Sequence, residues 1–164
     1  MIRLRARTEV DAPAERVWGL LGDYGHDPAW RAGVATMAPS PPGPAEPGQT
    51  TDEHLRFAGR SYRNGGRVES VGPGRALSWA TTSGVRAAGR RAVEELPGGR
   101  CRVALETDVR PEGVDRLLAP VLGRVLRRRM VADLARLRAL AERGPADREA
   151  DGTADGTADG EVVR

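Results

Sequence analysis

The sequence predicts an α+β fold in which a curved antiparallel sheet wraps around one long C-terminal helix, leaving room for a small molecule between them. Three observations predict it. Residues 2–10 alternate as a half-buried strand. A run of further strand segments follows, separated by turn signals and not by long helices. One long, Arg-rich amphipathic helix then ends the ordered part of the chain.

In the first strand Ile2, Leu4, Ala6, Thr8 and Val10 share one face, and Arg3, Arg5, Arg7 and Glu9 share the other. Asp11-Ala12-Pro13 starts a helix: Asp11 or a neighbour caps it, Pro13 suits the first turn, and Glu15 complements the positive end of the dipole. Val17, Trp18, Leu20 and Leu21 form its apolar stripe, and Gly22 and Gly25 end it. His26-Asp27-Pro28-Ala29-Trp30 reads as a second, short helical turn. A short strand around Val34 to Met37 comes next. Residues 39–48 contain five prolines, which requires an extended loop.

Strands are expected over residues 50–58, 62–71 and 76–82, broken at Gly59-Arg60 and at Gly72-Pro73-Gly74. Residues 89–96 and 101–109 flank Pro97-Gly98-Gly99 as a hairpin. The closing helix is expected from about Val114 to Glu142, with a bend or break near Pro120 and Gly123. Two stripes are read on it: Val114, Leu118, Val121, Leu122 and Val125, then Met130, Leu134, Leu137 and Ala141. Residues 144–164 carry an acidic Ala-Asp-Gly-Thr repeat with no core residue, and are expected to be disordered. The domain is therefore read as residues 1–143.

Composition narrows the function. No apolar run approaches the ~20 residues of a membrane span, and the alternating N-terminus does not resemble a signal peptide, so the cytoplasm is the expected location. Every one of the 26 basic residues is Arg, which excludes a Schiff-base or P-loop lysine on this chain. Cys101 is the sole cysteine, so no intrachain disulfide or multi-Cys metal site is possible. His26 and His54, without a His-Glu-x-x-His spacing, suggest no metal, and no cofactor motif is present. The tail carries a net charge of −4 within a total of +3, which leaves the body at +7. Arg127-Arg128-Arg129 points in three directions on a helix and has no interleaved aromatics. It reads as a solvated face and not as a specific nucleic-acid site.

The segment Val10-Asp11-Ala12-Pro13-Ala14-Glu15-Arg16-Val17-Trp18, with the later Asp27-Pro28-Ala29-Trp30, resembles the opening of START-like, Bet v 1-like (SRPBCC) proteins, the polyketide cyclase/dehydratase and lipid-transport group. Leu77-Ser78-Trp79, the hairpin from Gly98 to Val103 and the closing helix fit the same resemblance, which covers about Met1 to Arg143. It implies a helix-grip fold: a seven-stranded antiparallel sheet gripping the last helix, two short helices closing one end, and a cavity between. One fold hosts many functions, so the site must carry the functional argument.

A pocket is expected without the resemblance. The chain has only six aromatics, and many inward positions are small or polar, too little to fill a wide concave sheet to ordinary density. Projecting each strand by its period of two puts Thr51, Glu53, Leu55 and Phe57 inward on one strand, and Tyr62, Asn64, Val68 and Ser70 on the next if no bulge intervenes. Leu77, Trp79 and Thr81 follow, then Val103, Leu105 and Thr107. Trp30 is expected in the wall, and Leu118 and Leu122 cover it from the helix.

Pairing across the Pro97 turn aligns Val93 with Val103 and sends Arg91 inward opposite Leu105. A one-residue slip sends Arg90 in instead. A buried guanidinium needs a partner; Glu53 or a ligand oxygen is the candidate.

The first functional reading is a protein that binds a small, largely hydrophobic polyketide-, lipid- or isoprenoid-like molecule, as monomer or homodimer. The second, implied by the resemblance, is a cyclase/aromatase. There Arg91 would stabilise an oxyanion, Tyr62 would donate, and Glu53 or His26 would act as base. A protein-interaction module of the same fold is the third.

Overall fold

The computed structural model describes residues 1–113 and 119–143. One seven-stranded antiparallel sheet has the order β1-β7-β6-β5-β4-β3-β2. Its strands are β1 (Ile2–Val10), β2 (Val34–Ser40), β3 (Thr50–Phe57), β4 (Arg60–Gly72), β5 (Ala76–Ser83), β6 (Ala87–Leu96) and β7 (Arg100–Val109). Between β1 and β2 lie α1 (Ala14–Leu21), a 3-10 turn (Tyr24–His26) and α2 (Asp27–Trp30), and α3 (Ala119–Glu142) follows the sheet. This is the α+β helix-grip arrangement that the order of pieces predicts.

The registers follow the hydrophobic alternation. β1 pairs with β7 so that Leu4, Ala6 and Val10 stand opposite Thr107, Leu105 and Cys101. The Pro97 turn sets Val93 opposite Val103 and Arg91 opposite Leu105, so Arg91 is buried while Arg90 is exposed. A slip of one residue would turn the buried Val93 to solvent and bring Arg90 inward, which is why this register holds.

Several local expectations need correction. Asp11 does not cap α1, whose N-cap is Pro13 with no side-chain bond; instead the Asp11 N–H donates to Glu142 Oε1 at 2.9 Å. β2 runs on through Pro39 to Ser40, a position open to proline because β2 is an edge strand. β4 is irregular at Gly65/Gly66 and again between Val68 and Ser70. The second irregularity reverses the alternation: Ser70 is exposed and bonds Ser78, and Val71 packs inward in its place. α3 is unbroken at Gly123; Pro120 is the second of its described residues, and what precedes Ala119 lies outside them. Gly123 permits close approach to β1, since a Cβ there would sit 3.2 Å from Ile2.

The first predicted stripe of α3 is also wrong in part. Val121 and Val125 are exposed, while Leu122, Leu126 and Met130 turn toward the sheet. Val114 and Leu118 lie outside the described residues. The second stripe holds: Leu134, Leu137 and Ala141 are fully buried against Val10, Val17, Leu21, Val93, Cys101 and Val103, with Met130 at their edge.

A smaller cluster joins Tyr24, Val68 and Leu77, with Trp18, Met37, Val71 and Trp79 packed on it. Two glycines serve these tryptophans. A Cβ on Gly22 would meet the Trp18 ring at 2.7 Å, and one on Gly89 would meet Trp79 at 2.9 Å. The proline-rich loop is tied down by Gln49, which is buried. Its Nε2 donates to the carbonyls of Pro41 and Gly43 at 2.8 and 3.2 Å. Among the described residues no helix is long and apolar enough to cross a membrane.

Candidate functional site

α3 divides what it covers. Its second half lies on the packed core, whereas its first half bridges a cavity of about 660 Å³. The apolar wall is formed by Leu55, Phe57, Leu105, Leu122, Leu126 and Met130, together with Trp30 and Trp79. The expected residues Tyr62, Asn64, Thr81, Arg91 and Thr107 also line it, as does Glu53. Leu77 does not; it is buried in the small core cluster. His26 does not either. Its side chain is half exposed and faces Asp23, so it stands away from the cavity where a base would act.

One side of the cavity is bounded by a buried chain of charges. Arg91 projects from β6 and donates from Nη1 and Nη2 to both carboxylate oxygens of Asp27, at 2.7 and 2.6 Å, and from Nη1 to the Leu21 carbonyl at 3.0 Å. The guanidinium stacks 4.2 Å from the Tyr24 ring centroid and 5.4 Å from that of Trp30. Asp27 also accepts from Arg31 Nη1 at 2.9 Å. The same Arg31 nitrogen lies 2.8 Å from Glu53 Oε1, and Glu53 Oε2 accepts from Asn64 Nδ2 at 2.8 Å. Two cations and two anions alternate, so the chain is neutral.

The expectation that Glu53 would neutralise Arg91 is thereby corrected. The partner is Asp27, from the short helix, and Glu53 serves Arg31. Burial alone would raise the Asp27 carboxyl, but the guanidiniums of Arg91 and Arg31 outweigh it and hold the group below its ordinary value. For Arg91 and Arg31 burial works against the charge, yet the carboxylates, Asp27 first, keep both guanidiniums firmly protonated. Both arms of Arg91 are occupied.

α3 contributes Asp133 and Arg129 to the wall. Asp133 Oδ1 accepts from the Ala32 N–H and from Arg136 Nη1, each at 2.9 Å, tethering the end of α2 to the long helix. Burial pushes its carboxyl up, partly offset by the Ala32 bond and nearby arginines. Arg129 is not solvated as expected. It is half-buried and lies 5.2 Å over the Phe57 ring.

Among the wall residues the Tyr24 hydroxyl and the Trp30 Nε1–H are buried without a hydrogen-bond partner among the described residues, and Glu53 Oε1 has only its ion contact with Arg31. Burial raises the Tyr24 phenol above its ordinary value, so the hydroxyl keeps its proton. Tyr24, Arg31, Arg129 and Asp133 were not singled out from the sequence. Tyr24 lies in a glycine-flanked loop without periodicity, and the others sit on charged faces that read as solvated.

The fold is shared with solved structures of low identity. The aromatase/cyclase Zhui of Streptomyces sp. R1128 superposes with a TM-score of 0.71 at 20% identity, over 86% of this chain and 93% of that one. TTHA0849 of Thermus thermophilus gives 0.72 at 16%, over 93% and 99%. A START superfamily protein of Mycobacterium smegmatis gives 0.63 at 16%, over 87% and 98%. No curated protein sequence matches the chain. The family model described as polyketide cyclase/dehydrase and lipid transport matches residues 1–142, nearly the whole described domain, and the protein belongs to that START-like, SRPBCC family.

Proposed function

We propose that the cavity binds a small, largely hydrophobic molecule carrying at least one polar oxygen. The observation that supports this most is the cavity itself, with an apolar roof of Leu122, Leu126 and Met130 and a few placed polar side chains, Tyr62, Asn64 and Thr107 among them, on the sheet side. Apolar surface with a few placed polar groups is the usual composition of such sites. The neutral chain from Arg91 to Asn64 makes one wall rigid, so the ligand meets an ordered surface.

The test is native mass spectrometry of the protein purified from its own host, followed by extraction of what is bound. The expected result is one defined apolar molecule per chain. A protein that leaves its host empty and also ignores a panel of aromatic polyketides and lipids in a tryptophan-fluorescence titration overturns the reading.

A donor in the wall supports a second reading, cyclisation of a polyketide chain. As a carbonyl oxygen gains charge toward an enolate, donors held in place stabilise it. Arg91 and Glu53 are engaged in ion pairs, so the donor role falls to Tyr62, which is half-buried and lines the cavity. Tyr62→Phe separates the two readings: an enzyme loses turnover with little change in affinity, whereas a carrier loses affinity alone.

A further inference from the structure

Among the described residues Arg129 is a half-buried wall cation without an ion-pair partner; Arg60, Arg67, Arg90 and Arg110, which also line the cavity, are exposed to solvent. Arg91 and Arg31 share Asp27 and Glu53. The nearest carboxylate on the same helix, Asp133, is engaged by Ala32 and Arg136. Arg129 makes neither a hydrogen bond nor a salt bridge among the described residues, and burial lowers its guanidinium from the ordinary value.

It is nonetheless held in place. The Phe57 ring supports it on one side. On another it lies against the backbone of Gly33, where a Cβ would come within 2.5 Å of its Nη2. Gly33 has φ +77°, so the turn after α2 both requires glycine and makes the space the guanidinium occupies. A half-buried, positioned guanidinium offers a fork of donors suited to two oxygens of one anion. The same cavity is lined by the apolar Leu122, Leu126, Met130 and Leu55, while the charges of Asp133, Arg31 and Glu53 also act on Arg129.

We infer that the ligand of this cavity is an anionic amphiphile whose carboxylate or phosphate head is seated on Arg129 while its apolar body lies along α3 and β3. The inference rests on the ligand-binding reading above and specifies the chemical class.

Isothermal titration below micelle-forming concentrations, with dodecanoate, dodecyl phosphate and uncharged dodecan-1-ol, tests it. The native protein is expected to prefer at least one of the anions to the alcohol by about tenfold or more, as a charge-assisted pair should. The better of the two identifies a planar or a tetrahedral head. Arg129→Met should erase the preference between anion and alcohol, and its thermal melt, compared with that of the native protein, reports that the variant is folded. Arg129→Lys should retain part of it. In the native protein the preference should shrink as salt is raised. Equal affinity for anion and alcohol, or a preference that survives in Arg129→Met, overturns the inference and leaves the cavity reading standing. Failure of all three compounds to bind overturns the inference, and the host-extraction experiment decides the cavity reading separately.

Discussion

The two halves of α3 cover regions built on opposite principles. Under Leu134, Leu137 and Ala141 the sheet is packed solid with apolar side chains from β1, β6, β7 and α1. Under Leu122, Leu126 and Met130 it is hollow, and the wall includes both the neutral chain from Arg91 to Glu53 and Arg129, which has no ion-pair partner among the described residues. The difference lies in side-chain size and in what closes each end. The packed half has Val10, Val93, Cys101 and Val103 filling the concave face. The hollow half has Asn64, Gly66, Ala87 and Thr107 there, too small to reach the helix. A single helix thus serves as core and as roof, and the boundary is the Asp133–Ala32 tether.

The largest blow to this arrangement should come from Asp27→Ala. It strands Arg91 in the interior, and loss of one partner of a buried pair costs about 3–5 kcal/mol; urea denaturation measures it. The same carboxylate gives the protein a pH signature. Its native value lies below its ordinary 3.8, so its stabilisation is complete above the range in which unfolded aspartate titrates. It is lost progressively as pH falls below about 4 and through the lowered native value. Asp27→Asn should flatten that acid limb; an unchanged limb would assign acid sensitivity elsewhere.

Leucine truncation compares the halves directly. Leu137→Ala should cost about 2–5 kcal/mol, because the packed region cannot collapse around the gap. Leu122→Ala, at the edge of an existing cavity, should cost under about 1.5 kcal/mol on the transfer term alone. Similar losses in both would mean that the hollow half is not hollow in solution. Gln49→Ala should remove about 1–3 kcal/mol by leaving the Pro41 and Gly43 carbonyls without their donor, seen as a lower denaturation midpoint. Smallest of all, Arg63→Ala breaks an exposed pair with Asp52 and should leave the midpoint within error.

The sequence made the frame legible because the frame is periodic. Alternation located β1 and β7, and one turn, Pro97-Gly98-Gly99, narrowed β6 to two registers, of which the structure takes the one that aligns Val93 with Val103 and turns Arg91 inward. It failed where periodicity is interrupted or degenerate. A bulge beside Glu69 exchanged Ser70 for Val71, and nothing in the residues marks it. On α3, leucines and valines one position apart offered two stripes, and only packing against β1 decides between them. Arg91 was legible as a buried cation, but Asp27, 64 residues away, could not be recognised as its partner. That match is made by the short helix folding over the sheet, and local chemistry does not encode it. Arg129 was hidden for the same reason: it sits in a run of three arginines, and Phe57 and Gly33 come to it from the other side of the fold.

Asp133 is also a mechanical point. From it to Ala119 the helix runs 14 residues, roughly 21 Å at the usual rise. Beyond the tether this length is a lever arm over the cavity: a tilt of about 10° at the pivot moves its far end by about 4 Å. Leu122 and Leu126 ride on that arm, whereas Leu134 and Leu137 lie behind the pivot and barely move. The arm also rests on β1, where Gly123 meets Ile2 and Arg127 donates to the Arg3 carbonyl, so movement of the roof slides on that strand while the core behind the pivot stays packed.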